Sequence, residues 1–301
     1  MTDHIVIAVD GSEEATRAAQ RGLELATVVD ATVDVLYVVE RKSLRLAASA
    51  DEETRLRERG ESVLAEIEDL ASALDQPVTT ELREGRPGAR ICEYADEADA
   101  TLLVIGRQGL TGLGKRLLGG VTEHVLHSSE VPVFVVPAGD AAATPAADYE
   151  RVLVLTDGSE NAERAVEHGT TIASHCDTAV HVLNVVDLQS AGGVFSAGGL
   201  ETDFVERLEA QGTEAVDAAA NAIGETAPEL TVTTDVVRTT AGEGAAAGIR
   251  EYVADRDIDL IVMGSHGRSN LGRQLLGSVT STLLRTVDVP MLVVGRSASG
   301  S

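Results

Sequence analysis

Apolar residues along this chain follow two alternating patterns. Short continuous runs rich in Val, Ile and Leu are separated by longer stretches with a helical period. A continuous run reads as a strand covered on both faces, whereas a stripe repeating every 3.6 residues reads as an amphipathic helix. His4–Val9 is the first strand on this reading. Ser12–Val28 is a helix, with Ala15, Ala18, Ala19, Gly22, Leu23 and Ala26 on one stripe. Ala31–Val39 and Pro77–Arg83 follow as strands, with a charged helix over about Asp51–Leu74 between them. Pro87–Glu97 is a helix carrying proline in its first turn, where the missing amide costs nothing. Thr101–Gly106 is the fourth strand, Leu117–Ser128 a helix, and Val131–Val136 the last strand.

The pattern then starts again. VDGSEEATRA (9–18) returns as TDGSENAERA (156–165), and LYVVE (36–40) as LNVVD (183–187), both 147 residues later. IGRQGLTGLGKRLLGGVT (105–122) returns as MGSHGRSNLGRQLLGSVT (263–280) at an offset of 158, and EVPVFVVP (130–137) as DVPMLVVG (288–295). The change of offset places a net insertion of 11 residues in the second copy, around the glycine-rich AGGVFSAGGL (191–200). Strands are expected near 151–156, 178–186, 230–237, 258–264 and 289–294. AGDAAATPAADY (138–149) has linker composition. The 301 residues therefore divide into a domain at 1–138, a linker at 139–149 and a second domain at 150–296.

Strands alternating with helices imply a parallel sheet with right-handed crossovers. The expected fold is α/β: two tandem doubly wound domains, each with a five-stranded parallel sheet in the order 3-2-1-4-5, flanked by helices. Such a sheet binds ligands beyond the carboxyl ends of its strands, where the strand order reverses. That crevice falls between the loops after strands 1 and 4, which begin at Asp10 and Gly106 in the first copy and at Asp157 and Gly264 in the second.

Composition narrows the partners. With 49 acidic and 24 basic residues the formal charge is −25, and only Lys42 and Lys115 are lysines. Nucleic acid, which needs a basic footprint, is not an expected partner, and seven aromatics without tryptophan offer little base stacking. No apolar run approaches a membrane span, and no leader-like segment opens the sequence, so a cytoplasmic protein is expected. Cys92 and Cys176 occupy non-equivalent positions, which fits small core residues and not a disulfide or metal framework. The acidic excess suggests adaptation to a salt-rich, halophilic cytoplasm, where counter-ions screen self-repulsion. On that reading, dialysis into low salt lowers the melting temperature; an unchanged melt in the same scan overturns it.

The chemistry concentrates in the loop after strand 4. Gly106-Arg107-Gln108-Gly109 is followed by nine residues and Gly119-Gly120, and Gly264-Ser265-His266-Gly267 by nine residues and Gly277-Ser278. Glycines at a strand end let backbone amides approach an anion, and a helix beginning at the second glycine aims its unpaired N–H groups at the same place. Gly109-LTGL-Gly114-Lys115 matches most of a P-loop, but Arg116 stands where the Mg²⁺-binding Ser or Thr belongs, and the second copy lacks the lysine. The dinucleotide fingerprint of a first βα turn is absent too. Arg116 and Arg273 occupy equivalent loop positions and read as solvated arginines or as cover for a triphosphate.

The spacing G-x-x-G-x₉-G-[S/T] after strand 4, with Asp after strand 1, resembles the universal stress protein family, and in particular its tandem-domain, nucleotide-binding members. The resemblance covers about 4–137 and 151–295. It implies ATP in the crevice, alone or with Mg²⁺, with Gly264, Gly267, Gly277, Ser278 and Val279 on ribose and phosphates. Asp157, Val185 and Met263 would line the base and ribose end. Carried to the first copy, these roles fall on Gly106, Gly109, Gly119, Gly120 and Val121, with Asp10, Val38 and Ile105. Gly120 departs from the pattern because it lacks the hydroxyl, which marks the first site as the weaker. Arg107 and Gln108 replace Ser265 and His266, so the first site is expected to attract phosphate by charge. The resemblance also implies pairing through the last strand, within the chain as a pseudo-dimer and between chains as a homodimer.

The bland readings are that Asp10 and Asp157 are turn residues and that the glycines are structural. The function expected is an ATP-binding stress-response or signalling module without strong catalysis. The alternatives are a slow ATPase or nucleotide-dependent transferase in the same crevice, or a structural protein with empty crevices.

Overall fold

A computed structural model describes residues 3–40, 49–110, 117–139, 144–188, 202–239, 244–267 and 276–295. The chain forms two compact units that divide near residue 148. In the first, β1 (His4–Val9), α1 (Glu13–Val29), β2 (Thr32–Glu40), α2 (Ala50–Ala73), β3 (Val78–Gly85), α3 (Pro87–Glu97), β4 (Leu102–Gly106), α4 (Gly120–Ser128) and β5 (Val133–Val136) follow one another. In the second come β6 (Arg151–Leu155), α5 (Glu160–Cys176), β7 (Ala179–Asp187), α6 (Thr202–Thr226), β8 (Val232–Thr239), α7 (Gly244–Asp255), β9 (Leu260–Gly264), α8 (Ser278–Thr286) and β10 (Met291–Val294).

Each unit is an α/β sandwich around a parallel sheet. In the first, β1 pairs with β2 and β4, β2 with β3, and β4 with β5, which is the order 3-2-1-4-5. In the second, β6 pairs with β7 and β9, β7 with β8, and β9 with β10. Ile5, Val6, Ile7, Leu103 and Val104 on the central strands of the first unit are fully buried, as are Val152, Leu153, Val154, Ile261 and Val262 in the second. Strands sandwiched between helices have no polar face, hence their unbroken apolar runs. Gly22 and Gly169 bring α1 and α5 close to the sheet: a Cβ there would lie 2.9 Å from Ile7 Cδ1 and 2.7 Å from Val154 Cγ2, respectively.

The helix over 117–128 begins later than its sequence pattern predicts. Gly119 is extended (φ −67°, ψ 144°) and its N–H closes back onto the Arg107 carbonyl at 2.9 Å, so α4 starts at Gly120. Cys92 is buried and Cys176 half-buried at the end of α5, a more peripheral place than a core residue. Burial pushes both thiols up to about 11, well away from thiolate reactivity at neutral pH. Among the described residues no helix is long and apolar enough to cross a membrane. The 191–200 insertion, Lys42, Lys115, Arg116 and Arg273 lie outside the described residues.

Candidate functional site

The turn after the first strand of each unit is built from three residues with separate tasks. Gly11 (φ +80°) and Gly158 (φ +69°) take the left-handed conformation that reverses the chain. Ser12 and Ser159 cap α1 and α5, accepting from Ala15 N at 3.1 Å and Ala162 N at 3.4 Å. Asp10 and Asp157 accept the amides of those serines at 2.9 and 3.0 Å, closing an Asx turn. The second oxygen of Asp10 accepts the amide of Leu110 at 2.9 Å, across 100 residues of sequence. Asp10 therefore clamps the loop after β1 to the loop after β4.

Gly109 and Gly267 are small because an aspartate carboxylate lies against each. A Cβ at Gly109 would sit 2.2 Å from Asp10 Oδ2, and one at Gly267 would sit 2.5 Å from Asp157 Oδ2. Gly106 and Gly264 have a different reason. Cβ atoms there would press on backbone: the Glu14 and Gln108 carbonyl oxygens at 3.2 Å, or Asn161 C and His266 O at 3.2 Å. Both let the first turn of the helix after the first strand pack on the end of the fourth. The turn role of the aspartates and the packing role of the glycines are thus real, and both hold the crevice walls together. A carboxylate oxygen accepts more than one hydrogen bond, so the clamp leaves capacity for a ligand hydroxyl.

The nine-residue loop is closed at its far end by the Gly119 and Gly277 amides, each donating at 2.9 Å to the carbonyl of residue 107 or 265. Thr122 and Thr280, the last residues of the repeated segment but not among the expected site residues, lock the following helix to the strand. Thr122 Oγ1 donates to Gly106 O at 2.9 Å, and Thr280 Oγ1 to Gly264 O at 3.2 Å. The first intrahelical amides are those of Glu123 and Ser281, bonded to Gly119 O and Gly277 O. The three amides before each, at 120–122 and 278–280, have no intrahelical acceptor and carry the positive end of the helix dipole.

These features converge on one crevice per unit, at the carboxyl ends of the strands. The second has a volume of about 680 Å³ and the first about 530 Å³, both within the roughly 300–1,000 Å³ of small-molecule sites. Asp157, Val185, Met263, Gly264, Gly267, Gly277, Ser278 and Val279 all line the second. Asp10, Val38, Ile105, Gly106, Gly109, Gly119, Gly120 and Val121 all line the first. One expectation is corrected. Arg107 is only 2% exposed and does not line the crevice, so its charge cannot greet a phosphate there; Gln108 does line it.

The two crevices differ in chemistry. Around the second, Ser278, Ser281, Thr282 and Asn184 supply hydroxyls and an amide, and His266 enters the wall with its Nδ1 2.8 Å from Ser265 Oγ. In the first, Gly120 stands for Ser278 in the lining, and Glu123, in the first turn of α4 but outside the lining, stands for Ser281. Tyr37 and Arg59 line the first crevice, with Leu56 from the same helix as Arg59. The sequence holds a signal for Tyr37, which falls opposite Asn184 in the repeat. It holds none for Arg59, because hydrophobic periodicity does not say which turn of α2 overhangs the crevice. Among the described residues no group of three or more His, Cys, Asp or Glu is placed to hold a metal ion.

The family model described as "Universal stress protein family" matches residues 1–137 and again 148–295. A universal stress protein of Methanocaldococcus jannaschii is 36% identical over 136 residues, covering 44% of this chain and 80% of that protein. One from Mycobacterium tuberculosis is 29% identical over 307 residues, covering 97% of both. Among solved structures, a universal stress protein from Archaeoglobus fulgidus superposes with a TM-score of 0.73 at 22% identity, covering 99% of this chain and 100% of that one.

Proposed function

This chain belongs to the universal stress protein family, and on that premise we propose that it is a stress-response module whose two crevices bind an adenine nucleotide, ATP, without strong catalysis. The observation that carries the proposal is the convergence at each crevice of a glycine turn and three unpaired helix amides, beside an apolar slot of nucleotide size. The fit is steric as well as electrostatic. A Cβ built at Gly120 meets no described residue within 4 Å, which leaves room for a ligand over the helix N-terminus. The amides at 278–280 offer a polyanion fixed donors, which need no reorganisation on binding.

In this reading Ser278 and Val279 hold phosphates through main-chain N–H groups and the Ser278 hydroxyl, while Gly277, whose own N–H closes the loop on Ser265 O, lets the phosphates come close. Val185 and Met263 face the base, and Asp157 accepts from the ribose. Mg²⁺, when present, would ride on the phosphates. The second crevice is the stronger site, for it has the hydroxyl and lacks the carboxylate of Glu123.

The test is to denature the purified full chain and identify released small molecules by mass spectrometry, then to titrate ATP into the stripped protein. An adenine nucleotide in the release, and saturable ATP binding, are the expected results. Absence of both overturns the proposal. A single-turnover assay on the bound ATP separates a module, in which it survives for hours, from an enzyme, which forms ADP promptly.

A further inference from the structure

We propose that Arg59 makes a second anionic subsite in the first crevice, so that this crevice selects nucleosides carrying two separated phosphate groups. The proposal rests on the nucleotide reading above and adds a difference in ligand between the two halves. Four observations support it. Arg59 projects from α2 into the wall of the 530 Å³ crevice that also contains the Gly119–Gly120 turn, so one ligand can meet both. Its guanidinium is exposed and forms no ion pair with a described residue. Its side of the crevice is walled: Gly60, the next residue, lets α2 sit against Tyr37, where a Cβ would come within 2.8 Å of the ring. In the second copy Gly212 packs on Asn184 as Gly60 does on Tyr37, so Gln211 takes the place of Arg59 and Asn184 that of Tyr37, and no described residue of α6 lines the crevice.

The other charged groups of this wall, Asp10 and Glu40, are carboxylates that oppose an anion, so the attraction at this position comes from Arg59 alone. Both oxygens of Asp10 are occupied by the amides of Ser12 and Leu110 and do not pair with Arg59. Tyr37, in the same wall, stays a neutral phenol: burial raises its pKa, opposed by Arg59 and assisted by Asp10. It can donate to the same phosphate. A planar fork of N–H donors is the side chain best matched to a phosphate, and Gln211 has no charge to offer one. The ligand class is thus a nucleoside with a 5′-phosphate for the glycine turn and a second phosphate on the ribose.

The experiment titrates adenosine 5′-monophosphate and adenosine 3′,5′-bisphosphate into the full chain and into Arg59→Gln, at two salt concentrations. Wild type is expected to bind the bisphosphate about tenfold more tightly than the monophosphate at one of its two sites. The advantage shrinks at high salt and vanishes in Arg59→Gln, while monophosphate affinity is unchanged. Equal binding of both compounds in both proteins overturns the subsite and leaves the nucleotide reading standing, as does an equal loss of both in Arg59→Gln. Binding of neither compound, nor of ATP, overturns both readings together.

Discussion

Gly109→Ala is expected to lower the melting temperature by about 3–12 °C and to weaken ligand binding in the first crevice, while Gly120→Ala, eleven residues away, leaves the melt within about a degree. The contrast follows from the space around each Cα. A methyl at Gly109 would lie 2.2 Å from Asp10 Oδ2, so the carboxylate must leave its place or the loop must lift. Either movement breaks the 2.9 Å bond from the Leu110 amide. A hydrogen bond to a charged group contributes about 1.5–3 kcal/mol, and in a unit of this size each 1 kcal/mol is worth roughly 2–4 °C. At Gly120 a methyl touches no described residue. Asp10→Ala and the Asp10→Ala/Gly109→Ala double variant complete a cycle. Because both substitutions break the same clamp, their effects should fall well short of additive. A Gly109→Ala protein that melts with wild type removes the clamp from the account.

The same clamp marks the limit of what the sequence makes legible. The repeat displays Asp10 with Asp157, and Gly109 with Gly267, as twice-used positions, and strand order places their loops on one crevice. That much follows from topology alone, because the carboxyl ends of strands 1 and 4 adjoin in a 3-2-1-4-5 sheet. His4–Val9 and Pro87–Glu97 have the same limits in the sequence pattern and in the structure, since a turn glycine and an N1 proline mark their ends. What the sequence hides is anything set by contacts across the sheet. Whether Asp10 serves a ligand or a turn depends on the Leu110 amide, a partner 100 residues away. Arg107 reads as a loop cation beside a phosphate, yet its side chain is buried out of the crevice. A backbone bond from Gly119 to Arg107, not helix propensity, delays the start of α4.

Ser278→Ala should cost the stronger site about tenfold to a hundredfold in ATP affinity, and Gly120→Ser should bring the weaker site part of the way up. Ser278 opens α8 and lines the second crevice, where its hydroxyl adds a donor to the amides that already face an anion. Loss of one hydrogen bond to a charged group, about 1.5–3 kcal/mol, corresponds to that range. Gly120 begins α4 at the same structural position, and the void around its Cα admits a serine without displacement. The recovery stays partial because Glu123 sits in that first turn, where a carboxylate favours the helix but opposes a bound phosphate. Adding Glu123→Ser, which reproduces Ser281 of the second copy, should close more of the gap, and more so at low salt than at high. Calorimetric titration of ATP into the four proteins reads all of these effects on one scale. If wild type, Ser278→Ala and Gly120→Ser bind ATP with the same two affinities, the hydroxyl does not distinguish the crevices. The ranking of the two sites then falls, even where nucleotide binding itself survives.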